Sequence, residues 1–279
     1  MTTDMTAGRG SDQLPGDPER EETSTPPPPV RVPAMLAALA YRCAVWLVLA
    51  FTLGCAGWAV ALQLPGVDFG VDVSWMIEFA AALLSITFFA AWAGTRRPDG
   101  ALLAVRRVWR WVKVVVDELG LLPGRNQWVT IVGIGSVAVV ADVALAIALT
   151  RIPALASPAD DIRYTGVENS PLWAGALAFA LAAPLLEEML YRGPLLLLAV
   201  SVDRSLPTDP GARKAMKATV LVMTSLLFAW AHLDYSVGNA VTSGVSALVF
   251  GLAALRARSI WAGILAHALF NLIVGLSTI

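Results

Sequence analysis

The chain has 279 residues, of which 57% are hydrophobic and only 15% are charged. A soluble globular domain carries about 25% charged residues, so this composition excludes an ordinary soluble enzyme and indicates an integral membrane protein. The net charge is −1, and the charges are segregated into the predicted loops. Their distribution indicates no nucleic-acid partner.

The N-terminal segment, residues 1–33, is polar and rich in proline, with a short polyproline stretch from Pro26 to Pro29. It lacks the pattern of a secretory signal peptide, in which a charged region is followed by an apolar region and then by small residues. Such a composition cannot bury enough apolar surface to fold. We therefore predict a disordered cytoplasmic tail.

Apolar segments long enough to cross a bilayer follow this tail. A spanning helix needs about 20 predominantly apolar residues, and seven segments qualify: residues 36–62, 74–94, 128–150, 172–199, 218–235, 238–255 and 259–277. Residues 100–120 differ, because arginine and lysine alternate there with valine and tryptophan at helical spacing. This pattern predicts an amphipathic helix in the membrane interface. The predicted fold is an all-α, polytopic transmembrane bundle of about seven or eight helices.

Lysine and arginine in the short loops predict the orientation of these spans. The loop at 63–73 has neither residue, whereas the loops at 95–127 and 200–217 are rich in both. Basic loops face the cytoplasm. The alternation predicts a multi-pass protein of the cell membrane with a cytoplasmic N-terminus.

Ionisable residues within spans are rare and mark functional sites. The predicted spans contain seven of them: Glu78, Asp142, Glu187, Glu188, Arg192, His232 and His267. We interpret Glu78 as a carboxylate that reaches the membrane rim. We interpret Asp142 as a structural hydrogen-bond partner for another helix.

Two glutamates lie side by side in the segment APLLEEMLYRGP, residues 183–194. An ionised carboxylate at the bilayer centre costs about 2.5 kcal/mol or more. Glu188 and Arg192 are four residues apart on one helix face, which predicts an ion pair. Glu187 points about 100° away from the Glu188–Arg192 face of the helix. It has no local counter-charge, so it is a candidate general base. The alternative is that the motif is only a helix-packing salt bridge. Pro194 is expected to end or kink the helix.

The chain contains only two histidines, and both lie in predicted spans. Phe228 precedes His232 by one helical turn, and Asn271 follows His267 by one turn. A glutamate, two histidines and an asparagine can activate water and hold an oxyanion. The same residue types could hold a divalent metal. Each histidine taken alone is more typical of a packed core residue.

These motifs resemble those of the CPBP intramembrane proteases, a family that includes the CAAX prenyl endopeptidases and the bacterial bacteriocin-processing and immunity proteins of the ABI family. The resemblance covers about residues 172–276 and rests on three motifs: Glu187-Glu188-x-x-x-Arg192, Phe228-x-x-x-His232 and His267-x-x-x-Asn271. It implies an all-helical membrane fold whose site lies in a cavity open to the cytoplasm.

The resemblance also implies roles for the site residues. Catalytic roles fall to Glu187, His232, His267 and Asn271. Glu187 would deprotonate a water molecule with help from His232, while His267 and Asn271 would hold the oxyanion. In the metal alternative the same four residues would hold a divalent ion such as zinc. Supporting roles fall to Glu188, Arg192 and Phe228.

The implied function is that of an intramembrane endopeptidase acting on a membrane-associated protein or peptide. The expected domains are the tail at 1–33, N-terminal transmembrane helices with the interfacial helix at 34–171, and a catalytic core at 172–279. The expected partners are a peptide or membrane-protein substrate and the lipid bilayer. The alternatives are a non-catalytic membrane scaffold or bacteriocin-immunity-type binding protein, and a proton-coupled transporter. A transporter would normally show inverted repeats, which we do not find.

Overall fold

The fold is that of a computed structural model, which describes Arg42, Ala44, residues 46–50, Thr52 and the ranges 100–155, 183–205 and 209–277, with residue 180. The α-helices with defined bounds are α1 (Gly100–Glu118), α2 (Arg125–Thr150), α3 (Ala183–Ser205), α4 (Pro210–Trp230), α5 (Val237–Ala257) and α6 (Ile260–Ser277), and a 3-10 turn covers Pro153–Leu155. Every regular element among these residues is helical, so the predicted all-α class is confirmed. The predicted tail at 1–33 and the predicted span at 74–94 lie outside the described residues.

Two of these helices, α2 and α5, are long and apolar enough to cross a membrane by length and composition. The apolar stretch Ile260–Val274 of α6 is shorter. The structure therefore supports a helical bundle with membrane-spanning capacity. The number of crossings and the orientation of the N-terminus remain predictions.

The start of α4 is set by helix capping and not by hydropathy. The side chain of Asp209 accepts a hydrogen bond from the backbone N–H of Ala212 at 2.8 Å, and Pro210 occupies the first helical position. Both features favour a helix start. The helix therefore begins before the apolar run predicted at 218–235, and it ends at Trp230.

Helix α5 lies at the centre of the described bundle and packs against α2, α4 and α6, while α3 packs against α4 and α6. The chain turns from α5 into α6 at Arg258 and Ser259. The end of α1 is bonded to this turn, because Ile260 donates to the carbonyl of Leu119 at 3.0 Å. Gly120 has φ +58, and a Cβ there would meet the carbonyl oxygen of Arg258.

Helix α3 runs through Pro194 to its end at Ser205, so Pro194 does not end it. The fully buried Trp46 donates from Nε1 to the carbonyl oxygen of Met189 at 2.6 Å. Gly193 lies directly beneath the same indole. The N-terminal helical residues thus pack on the helix that carries the glutamate pair.

We expect Gly193→Ala to lower the thermal stability of the purified protein. The added Cβ would overlap the indole of Trp46, and overpacking of this kind costs roughly 1–3 kcal/mol. Gly133→Ala is the matched control, because a Cβ there meets nothing within 4 Å. Thermal unfolding in detergent checks the prediction, and equal midpoints for the two variants would contradict it.

Candidate active site

The glutamate pair on α3 separates into two environments. The side chain of Glu188 is 0% exposed and that of Arg192 is 2% exposed, and Nε of Arg192 lies 3.1 Å from Oε2 of Glu188. This confirms the predicted ion pair. The side chain of Glu187 is 30% exposed. The two adjacent carboxylates therefore differ sharply in solvent exposure.

His267 of α6 lies between both carboxylates. Its Nδ1 is 3.0 Å from Oε1 of Glu188, and its Nε2 is 3.7 Å from Oε2 of Glu187. A carboxylate only accepts hydrogen bonds, so Nδ1 carries the proton in this contact. In the neutral ring Nε2 is then an acceptor that faces Glu187. Glu188 therefore orients the imidazole, as the buried carboxylate does in a catalytic triad.

His232 lies in a turn just beyond the end of α4 at Trp230, and not inside a spanning helix as predicted. Its Nδ1 is 2.8 Å from the carbonyl oxygen of Phe228. Because a carbonyl oxygen only accepts, Nδ1 is the donor and Nε2 is left as an acceptor. The hydrogen bond to the Phe228 carbonyl thus sets the tautomer of His232.

The ring of Phe228 contacts both histidines and the guanidinium of Arg192. Its ring centroid lies 4.4 Å from that of His232 and 6.0 Å from that of His267. The Cζ atom of Arg192 lies 4.8 Å from the same centroid, within the range of a cation–π contact. Asn271 follows His267 by one turn on α6 and is partly buried.

The structure therefore brings together the predicted residues Glu187, Glu188, Arg192 and His267, with Phe228 packed beside them. His232 contacts this group through the ring of Phe228. These contacts establish proximity, while the catalytic roles remain predictions.

Two residues of the site were missed by sequence reasoning. Phe250 of α5 stacks on His267, with ring centroids 5.0 Å apart and an interplanar angle of 23°. Gly263 of α6 lies against Glu188, where a Cβ would come within 2.5 Å of Oε2. Both contacts join different helices, and no local spacing in the sequence indicates either of them.

The donor set gives little support to a metal centre. A catalytic zinc ion usually has three protein ligands. Glu187 and His267 place two ligand atoms near each other, but the described part of the chain contains no group of three or more His, Cys, Asp or Glu residues that could hold an ion. The metal alternative therefore stays a prediction.

Comparison with known proteins gives a family match. Residues 169–273 match the family model described as type II CAAX prenyl endopeptidase Rce1-like. No curated protein and no solved structure is significantly similar to the chain. The matched range contains all three motifs and covers more than a third of the chain. Residues 169–273 are therefore similar to the Rce1-like type II CAAX prenyl endopeptidases.

Proposed function

We propose that the chain is an intramembrane endopeptidase that hydrolyses a peptide bond of a membrane-associated protein or peptide. One observation carries the proposal: Oε2 of Glu187 lies 3.7 Å from Nε2 of His267, whose Nδ1 is held by the buried Glu188. This is a base beside an oriented imidazole, within a domain whose family is one of proteases.

The distance between Glu187 and His267 suits the binding of a nucleophilic water. A water oxygen placed between Oε2 and Nε2 could hydrogen bond to both atoms, at separations usual for a general base. Glu187 takes one proton from this water as its oxygen attacks the scissile carbonyl carbon. Glu187 then gives that proton to the leaving nitrogen, so that one carboxyl group and one amine result.

The remaining polar residues orient the water and stabilise the oxyanion. His267 orients the attacking water through Nε2, because its Nδ1–H is engaged by Glu188. The amide of Asn271, on the same face of α6, supplies an N–H donor to the developing oxyanion. Nε2 of His232 offers a second acceptor for water. This assignment shifts His267 from the expected oxyanion role to that of a water-orienting group.

Activity is expected to survive removal of divalent metals, because the described residues do not assemble three metal ligands. Purified protein would be treated with a strong zinc chelator, dialysed and assayed with and without added zinc. Equal rates support the proposed mechanism. A loss that added zinc restores would contradict it and favour the metal alternative.

The experiment that tests the function compares cells that carry the wild-type protein with cells that carry Glu187→Gln at matched membrane levels. Mass spectrometry of new peptide termini would identify cleaved proteins. Termini that vanish in the variant support proteolysis and identify the substrate. Identical termini, with a phenotype that persists in the variant, would overturn the proposal and favour a scaffold or immunity-type binding protein.

A further inference from the structure

Helix α1 carries exposed positive charge that the proposed mechanism does not use. Arg106, Arg110 and Lys113 follow one another at intervals of four and three residues, so their side chains lie on one face of the helix. All three residues are exposed. We call this surface the basic face. Helix α1 lies outside the matched range 169–273, so the family match assigns no role to it.

The opposite side of α1 is fixed to the bundle. Val115 and Leu119 are fully buried in an apolar cluster that also contains Trp46 and Leu197. Beyond the end of the helix, Ile260 donates a hydrogen bond to the carbonyl oxygen of Leu119 at 3.0 Å. The basic face is therefore held in an orientation that points away from this cluster.

The acidic residues of α1 leave much of its positive charge uncompensated. The helix contains two of them, Asp117 and Glu118. The side chain of Glu118 is 6% exposed, and its Oε1 lies 2.6 Å from Nη1 of Arg204 and 3.2 Å from Nη1 of Arg42. Asp117 is exposed and offsets one of the three positive charges. The basic face thus keeps an excess of positive charge and favours a negatively charged partner.

Two further arginines lie beside the end of α1. Arg256 is in the last turn of α5 and Arg258 directly follows that helix, and both are exposed. The turn that contains them is bonded to the residues after α1, because Ser259 donates from Oγ to the carbonyl oxygen of Gly120 at 2.8 Å. Two elements that are distant in the chain therefore bring positive charge to one end of the bundle.

Apolar side chains next to the basic face indicate the kind of partner. Trp109 is 60% exposed and Val105 is 51% exposed, and Trp109 lies one helical turn from both Arg106 and Lys113. Tryptophan favours the boundary between headgroups and hydrocarbon, whereas arginine and lysine are costly in the hydrocarbon itself. The headgroup region of a bilayer accommodates both kinds of side chain. A soluble anion would bind the charges and leave the apolar side chains in water.

We propose that the basic face of α1 is a docking surface for anionic phospholipids. Arg106, Arg110 and Lys113 bind the headgroup phosphates, and Trp109 packs against the ends of the acyl chains nearest to the headgroups. A basic residue near an anionic membrane surface strengthens binding about fivefold. The proposal is independent of the proposed peptidase activity, because it concerns only the binding of lipid.

Lipid selection is measured on the purified full-length protein. The protein is incubated in detergent with equal amounts of phosphatidylglycerol and phosphatidylcholine that carry the same acyl chains. It is then purified again, and the retained lipids are counted by mass spectrometry. We expect the wild-type protein to retain phosphatidylglycerol over phosphatidylcholine by about tenfold or more. In Arg106→Gln/Arg110→Gln/Lys113→Gln the ratio should fall close to one.

Arg151→Gln/Arg213→Gln/Lys214→Gln is the matched control. It removes equal charge from the residue after α2 and from α4, so both variants have the same net charge. We expect the control to keep the wild-type ratio. An equal fall in the control would overturn the proposal, as would a wild-type protein without a preference. Arg110→Gln alone, with an expected fall of about fivefold, carries the test if the triple variant does not fold.

Two further measurements separate a membrane lipid from a soluble anion. Trp109→Ala should lower the retention of both lipids and leave their ratio unchanged, because an apolar contact does not distinguish the headgroups. Wild-type retention of both lipids in this variant would contradict the packing of Trp109 on the acyl chains. Glycerol phosphate at an equal phosphate concentration should not displace phosphatidylglycerol, because it has no acyl chains. Displacement would overturn the assignment to a lipid and favour a soluble phosphorylated ligand.

Discussion

Glu187→Gln is expected to abolish peptide-bond hydrolysis and to leave the protein folded. Glutamine has the shape of glutamate but cannot take the proton of the attacking water, and general-base catalysis is worth about 10²- to 10⁴-fold in rate. The carboxylate of Glu187 is 30% exposed and is not part of the buried ion pair. The variant should therefore reach normal membrane levels and unfold at the wild-type temperature.

Asp203→Asn is the matched control for this variant. It is also a carboxylate-to-amide change on α3, at a partly exposed ion pair with Lys217 at 2.6 Å. Surface pairs of this kind contribute about 1 kcal/mol or less, so full activity is expected. A Glu187→Gln protein that cleaves at a rate close to that of Asp203→Asn would contradict the role of Glu187.

Arg192→Met is expected to destabilise the protein strongly. The side chain of Glu188 is 0% exposed, so the substitution leaves a buried carboxylate without its ion-pair partner. Breaking a buried pair in this way costs about 3–5 kcal/mol. Thermal unfolding in detergent measures the loss. Arg204→Met, at a 55% exposed arginine of the same helix, should lose about 1 kcal/mol or less.

The double variant Glu188→Leu/Arg192→Met separates stability from function. Replacing both members of a buried pair by apolar residues is often neutral or stabilising, so much of the lost stability should return. Activity should not return, because Nδ1 of His267 loses the acceptor that it has at 3.0 Å. An active double variant would show that Glu188 is not needed to orient His267. A single variant as stable as the wild type would contradict the buried-charge argument.

Local periodicity explains which parts of the site could be predicted. The Glu188–Arg192 pair depends only on residues one turn apart, and the structure contains it. The separation of Glu187 from that pair follows from the same helical geometry. The hydropathy pattern likewise predicted helices that the structure describes as α2, α5 and α6.

Contacts between helices could not be predicted in this way. Glu188 and His267 are 79 residues apart in the chain, and no spacing rule relates them. The stacking of Phe250 and the close approach of Gly263 depend on the rotation of packed helices. The predicted placement of His232 inside a spanning helix was wrong, because α4 ends at Trp230 and the chain turns at residues 231–235.

The central claim is that this chain itself hydrolyses a peptide bond by means of Glu187. The most direct measurement uses the purified full-length protein in liposomes with the substrate identified by its new termini in cells. The account predicts that the wild-type protein cuts the same bond as in cells and that Glu187→Gln does not cut it. Equal cleavage by both proteins would contradict the account, and so would the absence of cleavage by the folded wild-type protein.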